Sequence, residues 1–163
     1  MTPTPVPTMT YVPSVPGTET LSLAEILGRG ALAIASYAAL GVILLIIGFY
    51  VIDLAIPGKL SRLIKEERNP NATLLACSGL AAVGLIVAAS IWSSGGALQE
   101  GLLATLVFGL VGIAVQTVAM IAFDKVAGVS VRELVKEPDL QPGARLLAVT
   151  HLAIGLITAV AVV

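Results

Sequence analysis

The stretch ALAIASYAALGVILLIIGFYVI, residues 31–52, contains 22 residues without a charged side chain. An α-helix needs about 20 such residues to cross the ~30 Å hydrocarbon core of a bilayer. A transmembrane β-strand would instead be about 10 residues long and alternate apolar with polar side chains, and this stretch does not alternate. In a helix all backbone hydrogen bonds form within the segment, as lipid requires. The stretch therefore predicts a transmembrane helix.

Three further apolar stretches follow, at residues 72–93, 102–123 and 146–163. The whole chain is 57% hydrophobic and 12% charged, whereas globular domains carry about 25% charged residues. We therefore predict an all-α, polytopic membrane protein with four transmembrane helices. The net charge of −1 gives no indication of a nucleic-acid partner.

The residues before the first span divide into two parts. Residues 1–18, MTPTPVPTMTYVPSVPGT, are rich in proline and threonine, a composition typical of a disordered tail. Ser22 and Glu25 then have the spacing of a helix-capping box. We expect a short helix on the outer membrane surface within residues 19–30.

The positive charges predict the orientation of the chain. Eight of nine lysines and arginines lie in or next to the two loops 53–71 and 124–144, and only Arg29 lies on the opposite side. Positively charged loops face the cytoplasm. We therefore expect a multi-pass protein of the cell (inner or plasma) membrane, with both termini and the loop 94–101 outside and both charged loops in the cytoplasm.

The second half of the chain repeats the first at an offset of 71 residues, because residues 33–92 align with residues 104–163 without a gap. The offset superposes charged residues as well as apolar ones: Asp53, Lys65 and Glu66 on Asp124, Lys136 and Glu137. The alignment predicts two parallel two-helix repeats, residues 31–93 and 102–163, related by a pseudo-two-fold axis near the membrane normal.

Each charged loop contains an amphipathic segment. Apolar residues recur at helical spacing in both, and charged residues occupy the other face. Such a segment is expected to lie flat, with its apolar side at the acyl boundary and its cations among anionic headgroups. It either only shortens the loop or forms a surface for lipid or a cytoplasmic partner. The candidate surface residues are Lys59, Arg62, Lys65, Glu66, Arg132, Lys136 and Glu137.

Asp53 and Asp124 each follow an apolar span. A carboxylate there faces the negative end of the helix dipole, so each is expected to have a local partner. One interpretation is structural: each accepts hydrogen bonds from loop amides or pairs with Lys59 or Lys125. The other is a cation or proton site near the cytoplasmic end, since acidic residues in membranes often mark ion paths.

Two polar side chains lie inside the predicted spans, Gln116 and His151. We expect them to form interhelical hydrogen bonds, although a buried histidine can also shuttle protons. A single histidine without a second one, a carboxylate in the span or a thiol pair is a poor metal site. No catalytic or cofactor-binding motif is recognised, so we expect no metal, no cofactor and no enzymatic activity.

The segment DLAIPGKLSRLIKEERNPNATLLA, residues 53–76, resembles the bacterial inner-membrane family catalogued as domain of unknown function 350. Members of that family have two tandem copies of a two-span unit, with a proline-containing turn, an acidic and basic segment and a small-residue stretch that opens the next span. Pro57-Gly58 and Asn71-Ala72 look like these elements, and the second copy departs from them with Gly128-Val129 and Pro142-Gly143. The resemblance implies a fold and no biochemical activity.

The function we expect is that of a scaffold or accessory subunit that binds lipid or partner proteins through the cytoplasmic loops. The alternative is a subunit of a small oligomeric ion or proton channel or transporter, with the two aspartates at its inner end and Gln116 or His151 along the path. Four spans are few for a transporter that works alone, so we expect a homo-oligomer or an association with other membrane subunits.

Overall fold

The computed structural model of the chain describes residues 22–56 and 58–163 and contains six helices in them. Four are long enough and apolar enough to cross a membrane, and the described residues contain no strand. The prediction of an all-α protein with four spans is thereby confirmed. The proline-rich tail predicted for residues 1–18 lies outside the described residues. The helices are α1 (Leu23–Ala55), α2 (Leu60–Lys65), α3 (Pro70–Ser93), α4 (Leu98–Ala127), α5 (Val131–Leu134) and α6 (Pro142–Val162).

The first helix begins earlier than the hydropathy of the chain indicates. Ser22 and Glu25 form a capping box, and the helix then continues without a break to Ala55. Residues 23–30 are therefore the first turns of α1, and the separate surface helix expected within residues 19–30 is not present in its described part. The chain has no proline between Ser22 and Ala55 that would end a helix there.

Other helix ends also lie beyond the apolar stretches. The connection expected at residues 94–101 is shorter, because α4 begins at Leu98. The fourth span begins at Pro142, which suits a first helical position because proline has no N–H to leave unpaired. Hydropathy detects only the apolar part of a helix, whereas a capping box and a proline mark where α1 and α6 begin.

Helices α3 and α4 form the centre of the bundle and contact each other, and α1 and α6 lie on either side. Each central helix also packs against both flanking helices. The pairs α1–α3 and α4–α6 correspond to the two predicted repeats, while the close contact of α3 with α4 has no equally strong counterpart between α1 and α6. The two-fold repeat arrangement therefore stays a prediction.

Most of the outer surface of the bundle is apolar, as the lipid-facing side of a membrane protein should be. The first turns of α1 are its least covered part, since every residue from Ser22 to Leu32 is exposed. About 20 Å of helix precedes Tyr37, whose hydroxyl accepts a hydrogen bond from Ser94 at the far end of α3. The alanines at 31, 35 and 39 face away from the other helices, and glycines at positions such as 109 and 155 provide the close packing instead.

The two charged loops meet at one end of the bundle, which we call the loop end. Leu60, Leu63, Leu134 and Val135 are buried there in a cluster with residues of α1, α3 and α6. The expectation that these apolar faces lie at the acyl boundary is wrong, because the bundle leaves an open apolar end that the loop segments cover. Packing against the bundle removes these apolar side chains from water, as insertion at the membrane surface would, but through contacts within the chain.

Two asparagines fasten the loops to each other. The Asn69 side chain donates to the carbonyl groups of Val135 and Glu137, at 2.9 and 3.0 Å. Asn71 donates to the carbonyl groups of Glu137 and Asp139 and accepts from the amide of Gln141 at 2.8 Å. Both asparagines are buried. We call these two asparagines and the backbone groups that they bind the asparagine clasp.

Candidate functional site

The most polar feature inside the bundle is a contact between Asp124 and His151. Asp124 lies near the end of α4, and His151 lies nine residues after the first residue of α6. The antiparallel packing of the two helices places His151 Nε2 3.5 Å from Asp124 Oδ1. The His151 side chain is 3% exposed and the Asp124 side chain 18%. A distance of 3.5 Å exceeds the usual ~2.9 Å of such a bond, so the two groups are adjacent and loosely held.

Gln116 extends this polar group toward the middle of the bundle. Its side-chain amide donates a hydrogen bond to the carbonyl oxygen of His151, at 2.9 Å. Two buried atoms, Gln116 Oε1 and His151 Nδ1, have no protein partner. A buried polar atom without a partner costs about 1–3 kcal/mol, and such atoms in native proteins indicate a bound water or a functional role.

A cavity of about 40 Å³ lies beside the pair. Asp124, His151 and Thr117 are its polar lining, and its other walls are apolar side chains of α1, α3, α4 and α5. A water molecule needs only about 10–15 Å³ of such space and a few polar partners. The cavity is therefore large enough to hold water against the imidazole and the carboxylate.

A second depression, between α1, the end of α4 and α5, opens at the loop end. It includes Lys125 and Ser130 and shares four lining residues with the inner cavity: Ala55, Ile121, Asp124 and Val131. Asp124 thus lies between a surface depression and a cavity that reaches His151. Asp124 is the polar group between the imidazole and this end of the bundle, and we call the line from His151 through Asp124 to the depression the proton route.

The charged groups around His151 are few. Asp124 is the only other titratable side chain that lines the inner cavity, and Lys125 lines the outer depression. The described residues contain no group of three or more His, Cys, Asp or Glu side chains that could hold a metal ion. The site therefore offers one acid, one base and space for water, which is the chemistry of proton transfer.

Asp53 has a different environment from Asp124 although the two occupy equivalent positions in the repeat. Its Oδ1 accepts a hydrogen bond of 2.7 Å from the amide of Leu60, the first residue of α2. The carboxylate thereby satisfies an amide at a helix start that has no side-chain cap of its own. Within the described residues neither aspartate forms an ion pair with Lys59 or Lys125.

The loop residues proposed as a surface are all exposed at the loop end. Arg62 lies 3.6 Å from Glu66 and 3.3 Å from Glu67, measured from its Nε to carboxylate oxygens. Because these ion pairs are exposed, they contribute little to stability. The outer face of the loops is therefore charged and of mixed sign, with the apolar side chains turned inward. The residues are Lys59, Arg62, Lys65, Glu66, Arg132, Lys136 and Glu137.

The contact between Asp124 and His151 was not predicted, since the aspartate was placed at the end of a span and the span was considered to contain no carboxylate. Two signals point to it in retrospect. Both residues belong to the second half of the chain, and both were placed near the same end of their spans. The asparagine clasp was also not predicted, although Asn71 stands in the segment that carries the family resemblance.

Comparison with known proteins identifies the family of the chain, and the descriptions of the matching proteins name no biochemical activity. A family model described as Domain of Unknown Function (DUF350) matches residues 23–162. A UPF0719 transmembrane protein of Mycolicibacterium paratuberculosis is 38% identical over 134 residues, which cover 82% of this chain and 89% of the relative. A UPF0719 transmembrane protein of Mycobacterium bovis is 35% identical over 142 residues, 87% of this chain and 93% of the relative. No solved structure matches the chain significantly.

Proposed function

The chain belongs to the DUF350 family, and we propose that this membrane protein is a proton-translocating subunit without enzymatic activity. The resemblance of residues 53–76 to that family is confirmed by the family model. Four apolar helices make it an integral membrane protein. The proposal concerns what the intramembrane polar residues do.

The observation that supports the proposal is the contact of buried His151 with partly buried Asp124, beside a cavity that adjoins the loop end. Ionisable residues inside a membrane are costly and usually have a function. A proton needs only one acceptor at a time, whereas a metal cation needs several oxygen ligands. One carboxylate, one imidazole and a small cavity with room for water therefore suit a proton better than a metal cation.

The packing of the bundle favours access to His151 from the loop end and not from the outer end. Beyond Gln116, toward the outer end, α4 packs tightly on α1 and α3, where Gly109 contacts Leu44 and Gly112 contacts Ile86. We propose that the loop end faces the cytoplasm of a bacterial cell, with both termini outside, because eight of nine positive charges lie there. This structure is then the state open to the cytoplasm, and a rearrangement completes the passage.

Purified protein in liposomes that contain a pH-sensitive dye tests the proposal. A potassium gradient with valinomycin provides the driving voltage, and the rate of proton uptake is measured. We expect uptake above that of protein-free liposomes, with loss of this excess in the Asp124→Asn variant. Asp53→Asn is the matched control, since it changes the equivalent aspartate, which only caps α2, and should retain the wild-type rate.

Two outcomes would overturn the proposal. One is a wild-type protein that conducts no more protons than empty liposomes. The other is an Asp124→Asn variant with the wild-type rate. An Asp124→Asn variant that no longer elutes as the wild-type particle in gel filtration is replaced by His151→Leu, which introduces the residue found at the equivalent position 80 and should also lose the excess uptake.

A second candidate function is a scaffold or accessory subunit that binds partner proteins or lipid at the loop end. It is favoured by the exposure of all seven charged loop residues on one end of the bundle. The buried apolar faces of α2 and α5 leave mainly charged side chains for contact on these two segments. Such contacts weaken with salt, so a partner should dissociate as ionic strength rises.

Purification in mild detergent tests the second function. We expect a homo-oligomer or other membrane subunits in the purified particle, since the first turns of α1 are exposed in the part of the chain that the structure describes. Charge reversal at Lys65 and Lys136 should release a partner bound at the loop end. A monomer without companions at low salt would contradict the scaffold function and leave the proton assay unaffected.

A further inference from the structure

A groove runs along the lipid-facing side of the bundle between α3 and α6. Its volume is about 400 Å³, within the ~300–1,000 Å³ of ordinary ligand sites. Ser78 and Ala148 are buried and form its floor. Cys77, Ala81 and Leu152 are exposed along its sides. Small residues at the floor create the depression, because larger ones would fill it.

Arg145 lies at the loop end of this groove, and it is the groove's only charged residue. It stands in the first turn of α6 and is exposed. Within the described residues no carboxylate lies within 4.0 Å of its guanidinium group. The starts of α3 and α6 also lie side by side at this end, since Gln141, which caps α6, donates its amide to Asn71 in α3. Their dipoles add positive potential near the arginine.

We propose that the α3–α6 groove binds one anionic phospholipid, with its phosphate on Arg145 and an acyl chain along the groove. Leu152 is seven residues, about 10 Å, further along α6 than Arg145. That length lies within the ~15 Å depth of one leaflet's hydrocarbon. A cation at the headgroup level above an apolar groove complements a molecule that is anionic at one end and apolar at the other. This site is separate from the proton route, and the proposal does not depend on it.

Native mass spectrometry of the intact protein from mild detergent tests the site. Phosphatidylglycerol and phosphatidylcholine with the same acyl chains are the probes, added in equal amounts. We expect one phosphatidylglycerol to bind about fivefold more tightly than phosphatidylcholine, the factor that one basic residue near a lipid surface provides. Arg145→Gln should abolish this preference, and Arg68→Gln, at an exposed arginine that does not line the groove, should retain it.

A second pair of variants tests the groove itself. Ala81→Leu fills the groove from an exposed position and should reduce binding of both lipids. Ala88→Leu is the matched control, since Ala88 is also exposed on α3 but does not line the groove. Unchanged lipid binding in Ala81→Leu, or a phosphatidylglycerol preference that survives Arg145→Gln, would overturn the proposal. A dimer that Ala81→Leu dissociates would show instead that a second copy occupies the groove.

Discussion

Asp53 and Asp124 show how two equivalent residues acquire different roles from their neighbours. The sequence repeat treats them alike, and so does any argument from spacing. In the repeat, Leu80 of the first half occupies the position that corresponds to His151 of the second half. Asp53 therefore has no imidazole beside it. Asp53 accepts a loop amide instead, while Asp124 lies next to His151. The sequence could predict that both carboxylates need partners, but only the tertiary packing of α4 on α6 selects them.

The asparagine clasp should be a major source of stability at the loop end. Asn71 is 0% exposed and holds two carbonyl groups and one amide of the second loop. Asn71→Ala leaves these groups without partners, so we expect a loss of about 3 kcal/mol in the free energy of unfolding. Reversible unfolding by SDS in mixed micelles measures it. Thr73→Ala is the control, because Thr73 bonds only within its own helix region, and an equal small loss in both variants would contradict a stabilising clasp.

Arg68 is held in a conformation that suits glycine better. Its φ is 48°, and this left-handed turn lets the Asn69 amide donate to the Leu63 carbonyl at 2.9 Å. For a residue with a side chain, this left-handed conformation is about 1–2 kcal/mol less favourable than the right-handed one. Arg68→Gly should therefore raise the unfolding free energy by up to about 1 kcal/mol, and Arg62→Gly, inside α2, should lower it by about 1 kcal/mol. Unfolding by SDS in mixed micelles measures both variants. A clear loss of unfolding free energy in Arg68→Gly would show that the Arg68 side chain makes a stabilising contact.

At the scale of the helices, hydropathy predicted the four spans but not their lengths. Helices α1, α4 and α6 all begin before the apolar stretches, α1 at a capping box and α6 at a proline, whereas α4 begins without a side-chain cap. Hydropathy also could not predict which faces pack, since the alanine row of α1 and the glycines of α4 and α6 look equally suited to contact. Whether two helix backbones approach closely depends on how both helices are placed in the fold. The pattern of small residues in the sequence does not give that placement.

Gly84 and Gly155, which are equivalent in the repeat, differ sharply in their surroundings. A Cβ atom added at Gly155 would lie 2.7 Å from the Cα atom of Ala82, so α3 and α6 would have to separate. At Gly84 the nearest such contact is an ordinary 4.0 Å. Gly155→Ala should therefore lower the unfolding free energy by about 1–3 kcal/mol, and Gly84→Ala should change it by less than about 0.5 kcal/mol. Equal effects in SDS unfolding would mean that the two helices do not approach so closely.

At the scale of the whole molecule, the loop end combines an apolar cover with an opening to the surface. The loops cover the loop end with buried apolar side chains, and a depression beside α5 still leads to Asp124. The topology predicted that both loops would lie at the same end, which is what the asparagine clasp requires. It did not predict that their apolar faces turn inward, because an amphipathic segment fits a membrane surface and an open bundle end equally well.

The central claim is that His151 and Asp124 form a proton site that water reaches from the loop end. The chain contains one histidine, so isotope-labelled histidine gives a single imidazole signal in solid-state NMR of the protein in liposomes. We predict that the imidazole changes its protonation state as the pH is varied, with a midpoint that moves in Asp124→Asn and stays unchanged in Asp53→Asn. A signal that remains in one protonation state throughout, or a midpoint that both variants leave unchanged, would contradict the claim.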